Sequence, residues 1–400
     1  MGFKIGVIFL SFFIPICLSA QKTIWRNVPT DSLKDLTEVI KKILHKDVKA
    51  EKAKRKEKTV QFSLFPGIGY TLQTGFAAAV SANAVFFRRD QDKEDSANSS
   101  TVRLSISYSQ KNQIIAPLKS TLFFNKSRTI LISDWRYLKY PTYTYGLGMH
   151  TGPQDSTLLN YQYLKLQSSV LFQVHPHLYI GGGFILDYFW KIQQVYQQQT
   201  KSDFQKYGSG PTSLSSGITL NFRYDTRDNP VNAYKGIYTN IILAPRFKFL
   251  GSNTNWTSLI LDFRTYFRFP GRSNNILALW SYNWFTLSGT PPYLMLPTTG
   301  WDVSTGRGYI QGRFRSNNML DTEAEYRVQL TRNGLLGMVA FINLQSFSNI
   351  NTWQFPAIAS GAGLGVRLKL NKYSRTNIDL DYGWGRQGSR GFFVNLAEVF

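Results

Sequence analysis

The chain has 400 residues, 43% hydrophobic, 15% aromatic and only 18% charged, with a formal net charge of +22. So much apolar and aromatic content excludes a disordered chain, and its even scatter among 31 glycines and charged residues excludes a bundle of transmembrane helices. The surplus of Lys and Arg raises the question of a nucleic-acid partner, which the compartment implied by the following segments removes.

Lys4, the apolar run Ile5 to Cys17 and the small pair Ser19-Ala20 have the charged, apolar and cleavage regions of a secretory signal. Residues 1–20 are therefore read as a signal peptide, with the mature chain starting near Gln21. Ile16 stands before Cys17 where a lipid-anchored start has a small residue, which argues against such an anchor. Cys17 is the one cysteine and leaves with the leader, so disulfides, Cys metal sites and Cys nucleophiles are excluded from the mature chain.

Residues 21–58 read as a short periplasmic segment. Leu33, Leu36, Val39, Ile40, Ile43 and Leu44 recur at helical spacing behind the capping candidates Thr30, Asp31 and Ser32, which predicts one amphipathic helix. Lys46 to Lys58 follows with seven Lys or Arg against three acids, a basic linker that is either a solvated spacer or part of a docked helix.

From Thr59 onward the chain alternates. In Ile378-Asp379-Leu380-Asp381-Tyr382-Gly383-Trp384 the even positions are apolar or aromatic and the odd ones polar or glycine, so one face suits lipid and the other a wet interior. With about 9 to 11 residues per tilted span, residues 59–400 hold about sixteen strands and predict a 16-stranded antiparallel transmembrane β-barrel. The strands are expected at roughly 59–70, 75–88, 101–111, 113–124, 128–138, 161–174, 178–192, 213–225, 236–249, 256–269, 274–287, 320–331, 334–347, 358–371, 374–386 and 389–400. Short turns at His175-Pro176-His177, Arg332-Asn333-Gly334 and Asn371 to Ser374 fall at one end, and the long connections 139–160, 193–212 and 288–319 at the other. Arg89 to Ser100 breaks this rule, being long yet on the short-turn side. A secreted barrel resides in an outer membrane and meets no nucleic acid there. Its Lys and Arg face anionic lipid headgroups of the lipopolysaccharide type and the carboxylates of the lumen.

The same parity puts Arg223 and Asp225, Asp262, Arg264 and Arg268, Glu323, Glu325 and Arg327, Arg367 and Lys369, and Asp379 and Asp381 on inner faces. Such charges either pair with one another or line a route for polar solute. Gly361, Gly363 and Gly365 alternate on one inner face and leave room for a folded-in loop.

The longest connection ends in Gly306-Arg307-Gly308-Tyr309-Ile310-Gln311-Gly312-Arg313-Phe314-Arg315, followed by a strand with Glu325-Tyr326-Arg327. Together with the turn Tyr224 to Pro230, the opening Pro66-Gly67-Ile68-Gly69-Tyr70 and the ending Leu396-Ala397-Glu398-Val399-Phe400, these motifs make 59–400 resemble the barrel of the BamA/TamA superfamily, the bacterial surface antigen type. The resemblance implies that the loop folds into the lumen, with Gly306, Arg307, Gly308 and Tyr309 as its tip and Glu325 as the acid that receives Arg307. Gly306 and Gly308 allow the unusual backbone of a tight tip, and Arg307 offers a planar fork for a carboxylate. Asn343 stands where the family has a second acid, so the tip is expected to be held by one charge pair plus a neutral hydrogen bond. Asn343→Asp is then expected to tighten it. Phe392, Val394, Leu396 and Phe400 are expected to share one face of the last strand as the insertion signal.

Members that insert barrels or export proteins carry periplasmic POTRA modules, and 21–58 is too short for one. The expectation is an integral outer-membrane barrel that acts with a periplasmic or outer-membrane partner in membrane biogenesis or export, the first and last strands forming its seam. The alternative is a loop-gated channel for small polar solutes. An enzyme is not expected. His45, His150, His175 and His177 are the only imidazoles, and none stands in a metal-ligand or triad pattern, so neither a metal nor an organic cofactor is implied.

Overall fold

The computed structural model describes residues 33–43, 60–86, 100–197, 202–207, 210–271, 273–302, 305–396 and 398–400. The leader at 1–20, the capping candidates Thr30, Asp31 and Ser32, the basic linker and most of the connection at 89–100 lie outside these residues. One helix, α1 (Leu36–Ile43), precedes the strands β1 (Val60–Thr71), β2 (Gly75–Phe86), β3 (Ser100–Ser109), β4 (Ile114–Phe124), β5 (Thr129–Lys139), β6 (Thr142–Thr144), β7 (Thr157–His175), β8 (Leu178–Gln197) and β9 (Ser213–Asp225). They continue as β10 (Gly236–Arg246), β11 (Trp256–Arg268), β12 (Ile276–Gly289), β13 (Met319–Gln329), β14 (Leu336–Phe347), β15 (Ala359–Asn371), β16 (Thr376–Gly385) and β17 (Arg390–Leu396).

Sixteen of these strands close an antiparallel barrel. β5 pairs directly with β7, so the three-residue β6 only extends the edge of β7 beyond the ring. In β15 burial alternates residue by residue from Ala359 to Arg367. Outward positions such as Ile68, Phe76, Leu220, Leu364 and Phe392 are each at least half exposed. In water that apolar band would be an aggregation surface, and hydrocarbon is the solvent that covers it. The chain is an integral membrane β-barrel.

Two strands run past the expected bounds. β7 and β8 have 19 and 20 residues where the alternation predicted 161–174 and 178–192, and they pair from His175↔Leu178 out to Thr157↔Gln197. A span needs only about 9 to 11 residues, so this hairpin projects beyond the membrane at the long-loop end. There it supports a cap in which Leu159, Phe189, Trp256, Tyr293 and Leu296 bury one another.

α1 starts about one turn of sequence later than the candidates at 30–32 imply. Asp35 caps it, its Oδ1 accepting from the Glu38 amide at 2.8 Å, and the Asp35-x-x-Glu38 spacing is the sequence mark of such a start. The helix sits on the short-turn end of the barrel. The Lys34 amide donates to the Asn333 carbonyl at 2.9 Å, and Lys372 donates through its amide to Asp35 (3.0 Å) and through Nζ to the Leu33 carbonyl (2.6 Å).

The ring is unevenly stitched. β1 registers with β2 at every residue from Val60↔Phe86 to Thr71↔Gly75. Against β17 a single pair, Tyr70↔Val394, is registered among the described residues.

Candidate functional site

The connection between β12 and β13 folds back against the inner wall. Thr305, Arg307, Tyr309 and Phe314 are buried, and Tyr309 and Phe314 pack with Ala278, Trp280, Met319 and Phe347. Arg307 is fully enclosed. Its Nη2 donates to Glu325 Oε1 at 2.5 Å, its Nη1 to Asp381 Oδ2 at 2.7 Å, and its guanidinium lies 3.7 Å from the centre of the Phe341 ring. Glu323 Oε2 stands further off at 3.5 Å, while its Oε1 accepts from the Gly306 amide at 2.8 Å.

The expected anchor of one charge pair plus a neutral hydrogen bond is therefore corrected in its number of charge pairs. Two carboxylates hold the fork, and the second comes from Asp381 on β16, not from the β14 position of Asn343. Asn343 instead donates through Nδ2 to the backbone carbonyl of Arg307 at 2.9 Å. Phe341 fills the space between β14 and the fork, so a side chain at 343 meets the loop's backbone. Asp381 was visible in the sequence as an inner-face acid, but nothing in its spacing tied it to a residue 74 positions away.

The rest of the tip is fixed by main-chain contacts. Tyr309 donates its hydroxyl to the Ser360 carbonyl (2.6 Å) and accepts from the Arg386 amide (2.8 Å), and Ser389 Oγ donates to the Gly308 carbonyl (2.7 Å). Gly308 has φ +104°, and a Cβ there would lie 2.8 Å from the Trp384 carbonyl carbon. On the wall opposite, a Cβ on Gly383 would lie 2.6 Å from the Gly308 nitrogen. The inner face of β15 is filled in three ways. Gly361 faces the Arg307 carbonyl, Gly363 the Phe341 ring and Gly365 the Asp381 carboxylate.

The last residues also turn inward. Phe392 and Leu396 lie on the lipid face of β17 with Val394 between them in parity, but the strand ends at Leu396. The single shared face expected for Phe392, Val394, Leu396 and Phe400 is corrected, because Phe400 is buried in the lumen with its ring 5.1 Å from that of Trp280. Glu398 explains the change of side. Parity would put its carboxylate in lipid, whereas turned inward it accepts from Arg367 Nε (2.9 Å) and Asn377 Nδ2 (2.6 Å). Burial opposes that charge, yet Arg367 and then Arg327 hold the carboxyl below the ordinary glutamate value. Arg327 bonds Glu325 Oε2 through Nε (2.8 Å) and the Phe400 carbonyl through Nη2 (2.6 Å).

The remaining sequence candidates are structural in their contacts. Asp225 accepts from Arg227 at 2.9 and 3.0 Å, and Asp228 caps the Tyr234 amide and pairs with Arg375 at 2.7 Å, which closes the β9–β10 turn on the rim. Among the described residues no group of three His, Cys, Asp or Glu side chains is arranged to hold a metal ion.

A profile of the Omp85 superfamily domain matches residues 47–398. Among solved structures, BamA from Haemophilus ducreyi lacking POTRA domains 1–3 is similar, with a TM-score of 0.56 and 13% identity over 85% of this chain and 70% of that one. CdiB from Acinetobacter baumannii (TM-score 0.51, 13% identity) and CdiB from Escherichia coli (0.56, 9%) each match over 85% of this chain. The chain spans 60% and 63% of those two CdiB chains. No curated protein matches significantly.

Proposed function

The chain belongs to the Omp85 superfamily, and from that premise we propose that it acts with a partner protein in assembling or exporting outer-membrane material, using the β1–β17 junction as its seam. The observation that carries this reading is the contrast in stitching. Every other neighbouring strand pair in the ring is held by a run of registered residues, while β1 and β17 share only Tyr70↔Val394 among the described residues. A ladder bond lost in lipid leaves a polar group unsatisfied, so a junction with little ladder is the place where the wall opens at least cost.

The lumen supports the same direction. Its charges are paired and the loop tip fills the space beside β13 to β16, so a continuous wet path for solute is not what the arrangement favours. The lipid-facing band and basic rims would meet anionic headgroups.

Depletion of the protein in cells tests the proposal. A fall in the amounts of other outer-membrane barrels or exported proteins, with co-purification of a partner from native membranes in mild detergent, is the expected result. Unchanged levels, together with conductance of the purified barrel that rises when residues 299–315 are deleted, would replace it with the channel reading.

A further inference from the structure

Six buried side chains from five segments form a closed ring of alternating charge. Arg307 of the loop contacts Glu325 (2.5 Å), Glu325 contacts Arg327 (2.7 Å), and Arg327 contacts Glu398 (3.8 Å). Glu398 contacts Arg367 (2.9 Å), Arg367 contacts Asp381 (2.5 Å), and Asp381 returns to Arg307 (2.7 Å). Each member has 8% or less of its side chain exposed, so solvent screens these contacts little. The positive and negative charges within the ring balance, every carboxylate of the ring is shared by two arginines, and two further acids stand outside it, Asp379 at 3.3 Å from Arg367 and Glu323 at 3.5 Å from Arg307.

We infer that Glu398 is a positioning residue for the loop, acting through Arg327 and Arg367, so that the segment after β17 and the Arg307 tip dock and release as one latch. The inference rests on the seam reading above and supplies its regulation. Among the described residues Glu398 bonds to Asn232, Arg327, Arg367 and Asn377, none of them in the loop. Its charge offsets Arg327 and Arg367, which leaves Glu325 and Asp381 available to Arg307. Without it both arginines draw on those two carboxylates and repel the third arginine between them. The converse also holds. If Arg307 withdraws, Glu325 and Asp381 turn to Arg327 and Arg367, and Glu398 loses its hold on them. An opening of β17 away from β1 pulls Glu398 out of the lumen, because one residue separates it from the end of that strand. The loop would therefore loosen when the seam parts, without contact between the two.

Hydrogen exchange of the full-length barrel in detergent, read by mass spectrometry, tests the coupling. Glu398→Gln should accelerate exchange in residues 305–315 about 5-fold or more, with exchange in β11 unchanged, and Glu398→Asp should restore part of the protection. Arg307→Lys should accelerate exchange in residues 396–400 in turn, since coupling between two sites is reciprocal. If Glu398→Gln does not fold, Asn377→Ala serves, removing the 2.6 Å bond to Glu398 while leaving every charge in place. Acceleration confined to residues 396–400 would overturn the latch, as would acceleration spread evenly through β11. The readout is made on the isolated barrel, so it stands apart from the depletion phenotype. Coupling without a phenotype would sink the proposed function alone, and a phenotype without coupling would sink only the latch.

Discussion

The wall from β13 to β16 and the junction of β1 with β17 are built on opposite terms. From Met319↔Phe347 to Gly361↔Gly385 the first has long ladders, interrupted by one register shift between Lys369 and Asn371, and, on its inner face, buried ion pairs that hold an inserted loop. The second has one registered pair. Where the backbone satisfies its own hydrogen bonds, side chains are free to carry charge inward. At the seam little ladder is present, and what holds β17 in place is largely its other edge, along β16, and the tail it sends into the lumen. The lesson is that the strongest and the weakest parts of this barrel are joined, because the tail of the weak strand is tied to the charges of the strong wall.

The largest effect should come from the loop anchor. Arg307→Ala leaves Glu325 and Asp381 buried with their shared partner gone, and Glu325→Ala leaves Arg307 with one close acid, each at a cost of about 3 to 5 kcal/mol. Equilibrium unfolding in detergent should show the double substitution costing less than the sum, and strict additivity would mean that the 2.5 Å contact carries no energy. Next is Asn343→Asp. The neutral-bond anchor predicted tightening, but the observed donor is Asn343 Nδ2 to the Arg307 carbonyl, so a carboxylate there sets oxygen against oxygen beside Glu323. Destabilisation of about 1 to 3 kcal/mol is expected. Protease access to residues 299–315 should rise, and a fall would restore the original expectation. Gly383→Ala probes the close approach from the wall side. Its Cβ would meet the Gly308 nitrogen at 2.6 Å, and overpacking of this kind costs about 1 to 3 kcal/mol. A neutral result in the melting of the barrel would show that the tip has room to move.

Much of this was legible from the chain. Strand positions followed from alternation because a barrel wall separates two solvents along every span, which repeats the same constraint at each residue pair. The tip and Glu325 were legible only through the family resemblance, whose motif is local and whose acid lies on the next strand. Asp381 was not, since the assignment needs the curvature that brings β16 across the lumen to Arg307. The inward turn of Glu398 and Phe400 was hidden for another reason. Alternation reads a strand as continuing until a polar residue reaches the lipid face, and Glu398 was the residue that marked the end. The cap of α1 was legible in Asp35 and Glu38, but three earlier polar residues offered the same chemistry at a plausible distance.

The smallest effect should be at α1, and it tests whether that helix belongs to the barrel or only rests on it. Two of its described contacts use the side chain of Lys372, to the Leu33 carbonyl at 2.6 Å and to Glu38 at 3.0 Å, while the backbone bonds of Lys34 to Asn333 and of Lys372 to Asp35 do not depend on it. Lys372→Met keeps the length and apolar stem of the side chain and removes its charge. The loop anchor should not register the change. Docking of the helix should weaken by about 1.5 to 3 kcal/mol, the usual worth of a hydrogen bond to a charged group. The global unfolding of the barrel should move by less than the docking of the helix does. Protease cleavage within residues 33–43 should therefore accelerate in a barrel that still melts normally. A barrel destabilised in step with the helix would mean that α1 is part of the wall's own support, and that the short-turn end is held by more than its turns.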